Sequence, residues 1–365
     1  MNLERYFDFA PAGNSLSELE TPVPIIDLDI VERNLARWQK RCDKAGFANR
    51  PHIKTHKLAP LARAQIDLGA QGITVQKLGE AETMADAGIR DMLLTFNIVG
   101  AHKLGRLAAL ARRTDISVVA DSAAVVAGIG AAGKMAGRDI SVLVECDTGQ
   151  HRCGVSTPAA AAALAREIDR TDGTRFGGLM TYVKVGTRDE TEAFLTGARD
   201  LCANAGLAVD SISTGGTPEM YLDKGLGVAT EYRAGTYIYN DRSLVERGYC
   251  SPEDCAASVL TTVVSRPSDE RAMIDAGSKA LTSDLLGLTG YGSIAALGGA
   301  RVYEVNEEHG YVDISAAARK PAIGDTLRIV PNHVCPVMNL FDRVVMVRGD
   351  KVLGSVRVDA RGAVQ

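Results

Sequence analysis

From about residue 24 to residue 240 the chain alternates short apolar runs with longer amphipathic stretches. The runs are "PIIDLD" (24–29), "RPHIKT" (50–55), "GITVQ" (72–76), "MLLTFN" (92–97) and "ISVVAD" (116–121), then "SVLVECD" (141–147), "FGGLMTYV" (176–183), "SISTGG" (211–216) and "AGTYIY" (234–239). Between them, stretches such as "IVERNLARWQKRC" and "TPAAAAALAREID" carry a helical pattern, and Gly often marks where it ends. Strand and helix alternating at this spacing predict a parallel sheet. Nine runs are one too many for an eight-stranded barrel. With "PIIDLD" assigned to another sheet, eight remain and a (β/α)8 TIM-like barrel fits, its site at the C-terminal ends of the strands. An open doubly wound sheet competes with it, although no GxGxxG follows the first strand to support a dinucleotide site.

After residue 255 the pattern changes. "ASVLTTVVSRP", "RAMIDAGS", "GARVYEVNEEHGYVDIS", "DTLRIVPNHVCP" and "RVVMVRGDKVLGSVRV" are strand-like runs broken by Gly, Pro and Asp, which predicts an antiparallel β domain. The 365 residues suffice for one large and one smaller domain; 46% hydrophobic and 24% charged residues describe an ordinary globular chain. A net charge of -4 gives no general reason to expect nucleic acid as a partner. No apolar run approaches the length that spans a bilayer, and the first residues lack the layout of a signal peptide, so no membrane partner and a cytoplasmic location are expected. The seven cysteines are spread out and are expected to be reduced.

Three stretches carry candidate chemistry. In "RPHIKTHK" (50–57), an extended backbone would put His52, Lys54 and His56 on one face, where cations repel unless something anionic or covalent sits among them. A desolvated lysine among cations gives up its proton more readily and becomes an amine nucleophile, which is what pyridoxal phosphate needs for a Schiff base. The plain alternative is a lysine snorkelling from a strand end. "STGGTPEM" (213–220) offers Thr214, Gly215, Gly216 and Thr217 after the seventh barrel strand, where barrels commonly hold phosphate; an ordinary turn explains it equally well. In "NHVCP", His333 and Cys335 would face the same way on an extended segment. An imidazole and a thiolate favour Zn2+ over Mg2+, against the alternative of one buried cysteine beside an unrelated histidine.

Together with "TPVPIIDLD", "GITVQKLGEAE", "ECDTGQHRCGV", "TEYRAGTYIYND", "IDAGSKAL" and "NEEHG", these stretches resemble the D-threonine aldolase and D-serine dehydratase family over about residues 20–360. The resemblance implies the alanine-racemase-like fold (fold type III), with a barrel over 22–245 and a β domain built from 1–21 and 246–365. It implies Lys54 as the residue that holds pyridoxal 5'-phosphate, Gln76 lining the pocket, Arg152 near the O3' oxygen and Tyr182 near the pyridine ring. Thr214, Gly215, Gly216 and Thr217 would form the phosphate cup with Gly235 and Thr236, and His52 would neighbour the lysine. His333 and Cys335 would bind the divalent metal, with Zn2+ favoured and Mn2+ or Mg2+ as alternatives. A homodimer acting on a D-3-hydroxy amino acid is expected. Two features depart from the aldolase pattern: "TYVKVGTRDE" contains no histidine, leaving Lys184 as the candidate base for the substrate hydroxyl, and His-x-Cys is the dehydratase form of the metal pair. Aldolase, dehydratase and, behind them, racemase are the expected activities; a non-catalytic cofactor carrier is a further reading.

Overall fold

In the computed structural model of the chain, which describes residues 1–221 and 227–365, the polypeptide divides into two compact units. One comprises 38–54, 62–235 and 363–365; the other comprises 1–37, 55–61 and 236–362. The fold is the alanine-racemase-like combination of a parallel (β/α)8 barrel with an antiparallel β-barrel domain.

The first unit holds eight parallel strands in the order Ala48–Asn49, Glu231–Tyr232, Ser211–Thr214, Thr174–Thr181, Ile140–Cys146, Asp115–Ala120, Asp91–Leu94 and Ile73–Val75. A parallel bridge between His52 and Thr74 joins the two ends and closes the barrel. The central strand, "ISVLVEC", is buried at every position, as expected of a parallel strand covered on both faces. Its Leu143 clusters with Leu93, Val119 and Met180 from other strands of the same sheet. The crossover helix Pro158–Arg170 begins where Thr157 accepts from Ala160 N at 3.1 Å, with Pro158 in the first turn where its missing N–H is harmless.

The second unit is a nine-stranded sheet in which Arg271–Ile274 pairs both with Gly310–Asp313 and with Ala257–Ser265. The surplus apolar run belongs here: Val23–Asp27 lies between Ala257–Ser265, antiparallel, and Arg343–Arg348, parallel. Its Ile25 packs with Leu260, Val345, Val347 and Val352.

Three stretches differ from the sequence expectation. "RPHIKT" is not a strand: pairing ends at His52, and Ile53–Thr55 is a turn of 3-10 helix. The His52 ring turns the chain, because its Nδ1 takes the Lys54 backbone N–H at 3.4 Å. "AGTYIY" is not a strand either; the last barrel strand is Glu231–Tyr232 and Thr236–Ile238 is 3-10 helix, since short buried runs carry no period that separates the two. His333 and Cys335 are not on an extended segment. His333 precedes the helix Val334–Leu340, whose first N–H is taken by Asp241 Oδ2 at 3.1 Å.

Candidate active site

The barrel places most of the expected cofactor residues at the C-terminal ends of its strands. His52 N donates to Ala234 O at 2.9 Å, so Lys54 and Gly235 follow from neighbouring strand ends. On the other side, His52 Nε2 lies 3.0 Å from Gln76 Oε1, and Gln76 Nε2 donates to Thr95 O at 2.9 Å, which fixes the amide's orientation. Lys54 is half-buried, His52 buried. The expectation that His52, Lys54 and His56 share a strand face does not hold on the 3-10 turn. His56 Nδ1 instead accepts from Leu58 N at 3.0 Å, in the segment that belongs to the β unit.

Arg152 and Gly216 both approach the Tyr182 ring: the Arg152 guanidinium is 5.5 Å from its centre, and a Cβ on Gly216 would sit 3.4 Å from it. Arg152 sits on a loop ordered by Asp147, whose Oδ1 takes the N–H groups of Gly149 and His151, both at 3.0 Å. Lys184, the candidate base, is exposed, and its stem passes over Gly149: a Cβ there would be 3.8 Å from Lys184 Cδ.

The loop after Ser211–Thr214 fits a phosphate. Gly215 has φ +145, and a Cβ there would lie 2.6 Å from Arg233 N, so only glycine lets the two backbones meet. Thr214 Oγ1 is buried and has no hydrogen-bond partner among the described residues. A buried hydroxyl without a partner costs stability unless a ligand uses it. An amine, an aromatic ring, a glycine cup and a spare hydroxyl are what pyridoxal phosphate requires, so the residues present fit that cofactor.

Sequence reasoning passed over two buried charges beside this cup, although both lay inside quoted motifs. Arg233 donates to Ser213 Oγ at 2.7 Å and to Thr181 O at 2.5 Å; burial pulls it down to about 10, against the pull of Glu231 and Glu145. Glu145 is raised by burial, in part offset by Arg152. A cavity of about 380 Å³ opens at the opposite, N-terminal strand ends, lined by Arg50, Asp91, Ser141 and Glu231 among others. There Arg50 is already paired with Glu231 at 2.8 Å and Asp91 at 2.5 Å, which suits a stabilising role at the end of a barrel away from its chemistry.

In the β unit, His333 Nδ1 lies 2.7 Å from Asp284 Oδ2. Burial works to lower His333, yet Cys335, Asp284 and Asp241 prevail and raise it to about 9. Cys335 Sγ is 3.2 Å from Thr55 Oγ1, the hydroxyl of the residue after Lys54, and 3.8 Å from that of Thr236. A histidine fixed by a carboxylate on one nitrogen presents the other for a metal, so the pair fits as two ligands of an open site. Among the described residues no three His, Cys, Asp or Glu side chains gather as a metal cage. Asp284 and Thr55 had no signal in the sequence that linked them to this pair. No helix among the described residues is long and apolar enough to cross a membrane.

Comparison with known proteins gives the following. Residues 26–243 match the family described as alanine racemase, N-terminal domain, and residues 256–347 match the one described as "Putative serine dehydratase domain". The chain is 37% identical to a D-threonine aldolase of an Arthrobacter species, covering 97% of this chain and 96% of that one. It is 36% identical to D-threo-3-hydroxyaspartate dehydratase of Delftia sp. HT23, over 88% and 92% of the two chains. The solved structure of the latter superposes with a TM-score of 0.85, and a cysteine-to-alanine mutant of it has been solved in the metal-free form. The D-threonine aldolase structure from Filomicrobium marinum superposes with a TM-score of 0.90 at 32% identity, covering 98% of this chain and all of that one.

Proposed function

The chain belongs to the family that couples an alanine racemase N-terminal domain to a serine dehydratase-type domain, and from this premise we propose that it is a pyridoxal-phosphate- and metal-dependent lyase of D-3-hydroxy amino acids. The reaction assigned is retro-aldol cleavage to glycine and an aldehyde. The observation that carries the cofactor assignment is the convergence of Lys54, Gln76, the Arg152–Tyr182 pair and the Thr214–Gly215–Gly216 loop at one end of the barrel. The substrate class is supported by the aldolase and the dehydratase, each named for a D-3-hydroxy amino acid and matched over most of its length.

Bound pyridoxal phosphate supplies an electron sink that lets a bond at the substrate Cα break. A divalent metal on His333 and Cys335, Zn2+ by the softness of these donors, would add Lewis-acid chemistry at an oxygen. The chain's own groups do the rest. Thr214, Gly215, Gly216 and Thr217, with Gly235, would hold the phosphate through N–H and O–H donors. Tyr182 would lie against the ring, and Arg152 and Gln76 would hold its polar edge. Lys54 would hold the cofactor, and its amine would take or give a proton at Cα. In cleavage a base must also take the proton of the β-hydroxyl, and Lys184, on the loop after the strand that ends beside Tyr182, is assigned that part. A pair of chains is the proposed assembly, tested by light scattering.

Elimination to a 2-oxo acid and ammonia is the second reading, favoured by His333 and Cys335 as the metal pair and by the lack of histidine in 181–190. The deciding experiment supplies D-threonine and D-serine with and without a chelator. Glycine from the first, lost on chelation, supports the aldolase; pyruvate from the second supports the dehydratase. Turnover that persists without metal, or neither product, would overturn the proposal.

A further inference from the structure

At the N-terminal ends of the barrel strands, opposite the candidate active site, the lumen is not filled. The cavity of about 380 Å³ there adjoins a smaller one of about 150 Å³, and Asp115, Ser117, Ser141 and Arg175 line both. A (β/α)8 lumen is ordinarily packed with layers of bulky branched side chains. Here strand pairing sets Leu93, Ser117, Ser141 and Arg175 at one level on four neighbouring strands, two of them small serines. The last of these strands then bulges at Gly177 and Gly178. A Cβ on Gly177 would collide with Ser141 Oγ, and one on Gly178 with Ser211 O, so side chains are excluded where they would close the space.

The groups around this cavity are unevenly committed. Asp91 and Glu231 are held by Arg50, and Asp115 lies 3.1 Å from Arg138. Arg175 and Asp210 line the cavity as well, yet neither forms an ion pair among the described residues. Ser141 is only 6% exposed, and its hydroxyl, turned towards Gly177, has no hydrogen-bond partner among the described residues. A buried hydroxyl that faces open polar space is satisfied from that space. Leu93 and Leu143, both buried, supply an apolar floor. The uncommitted charges are therefore one guanidinium and one carboxylate. A plain anion on Arg175 would leave Asp210 without a partner, and a plain cation on Asp210 would leave Arg175; a zwitterion answers both.

We propose that this cavity binds a free α-amino acid with a small uncharged side chain. Its carboxylate lies on Arg175 and the Ser117 and Ser141 hydroxyls, its ammonium faces Asp210, and its side chain rests over Leu93 and Leu143. The site stands at the far end of the barrel from Lys54 and needs no pyridoxal phosphate.

The test titrates L-alanine into the full chain saturated with pyridoxal phosphate, by saturation-transfer NMR. The visible absorbance of the cofactor is followed in parallel, so that contact near Lys54 registers separately. Propionate and ethylamine, each keeping one of alanine's two charged groups, are titrated alongside and should bind about tenfold or more weakly. Arg175→Met should weaken alanine binding by about tenfold to a hundredfold, with Arg175→Lys losing less. Ser141→Ala should weaken it too. Arg175 is exposed, so its replacement should leave urea unfolding unchanged. Alanine that binds Arg175→Met as it binds the parent, an analogue that binds as tightly as alanine, or no alanine binding at any soluble concentration would overturn the proposal.

Discussion

Two adjacent glycines in the candidate phosphate loop should respond to the same substitution to very different degrees. Gly215→Ala puts a side chain at φ +145, where a Cβ lies 2.6 Å from Arg233 N and 3.1 Å from its Cα. These atoms cannot retreat cheaply, because Arg233 N donates to Thr214 O at 2.8 Å and so ties the two strand ends together. The left-handed backbone costs about 1–3 kcal/mol, and forcing apart packed backbone adds about 1–3 kcal/mol. The sum, about 2–6 kcal/mol, is a factor of about thirty to 10⁴ in an equilibrium constant. Gly216 has φ 170, extended backbone open to any residue, and its Cβ would only touch the Tyr182 ring at 3.4 Å. Gly216→Ala should cost about 0.5 kcal/mol or less, about a twofold effect. Urea unfolding and equilibrium dialysis with pyridoxal phosphate, run on both variants, divide the loss between stability and cofactor affinity. A Gly215→Ala protein that unfolds and binds cofactor like the parent, or a Gly216→Ala protein that is the worse of the two, would refute the reasoning.

Lys54→Ala should abolish covalent capture of pyridoxal phosphate on borohydride reduction, read by intact mass; undiminished labelling would remove Lys54 from the site. Asp284→Asn should loosen His333 and weaken metal binding by about tenfold to a hundredfold, measured by competition with a chromophoric chelator, with an unchanged affinity counting against the site. Glu145→Gln should change how stability depends on pH. Burial raises the Glu145 carboxyl in the folded chain, so the folded state binds more protons than the unfolded one, and the glutamate's contribution, full at low pH, is lost as pH rises through its folded value. The variant should therefore gain on the parent as pH rises above about 4, the range of an unperturbed glutamate, in urea melts; a difference that does not vary with pH would contradict the assignment.

The fold was largely legible because its signals are local. The run "ISVLVEC" reads as a strand buried on both sides and is one, and Thr157 with Pro158 marks a helix start at the observed place. What misled were stretches where side chains bend the backbone. At "HIKT", His52 accepts the Lys54 N–H and ends the strand two residues before the lysine. At "NHVC", Asp241, from another part of the chain, takes the N–H of Val334 and starts a helix where extended chain was expected.

The candidate site shows the same division. Lys54, the glycine loop and the His-x-Cys pair could be picked out from their own neighbours in the sequence, since amine, backbone cup and soft donors are properties of residue type and short spacing. The support around them could not: Asp284 lies 49 residues from His333, and Arg233 is notable only because it is buried against Ser213 and Thr181. The sequence by itself determined the order of strands and helices, the surplus strand at "PIIDLD" and the kinds of chemical group on offer. The tertiary structure decided where each strand stops and which carboxylate holds which histidine. Hydrophobic period and turn chemistry are written within a few residues, whereas such partners are set by the path of the chain between them.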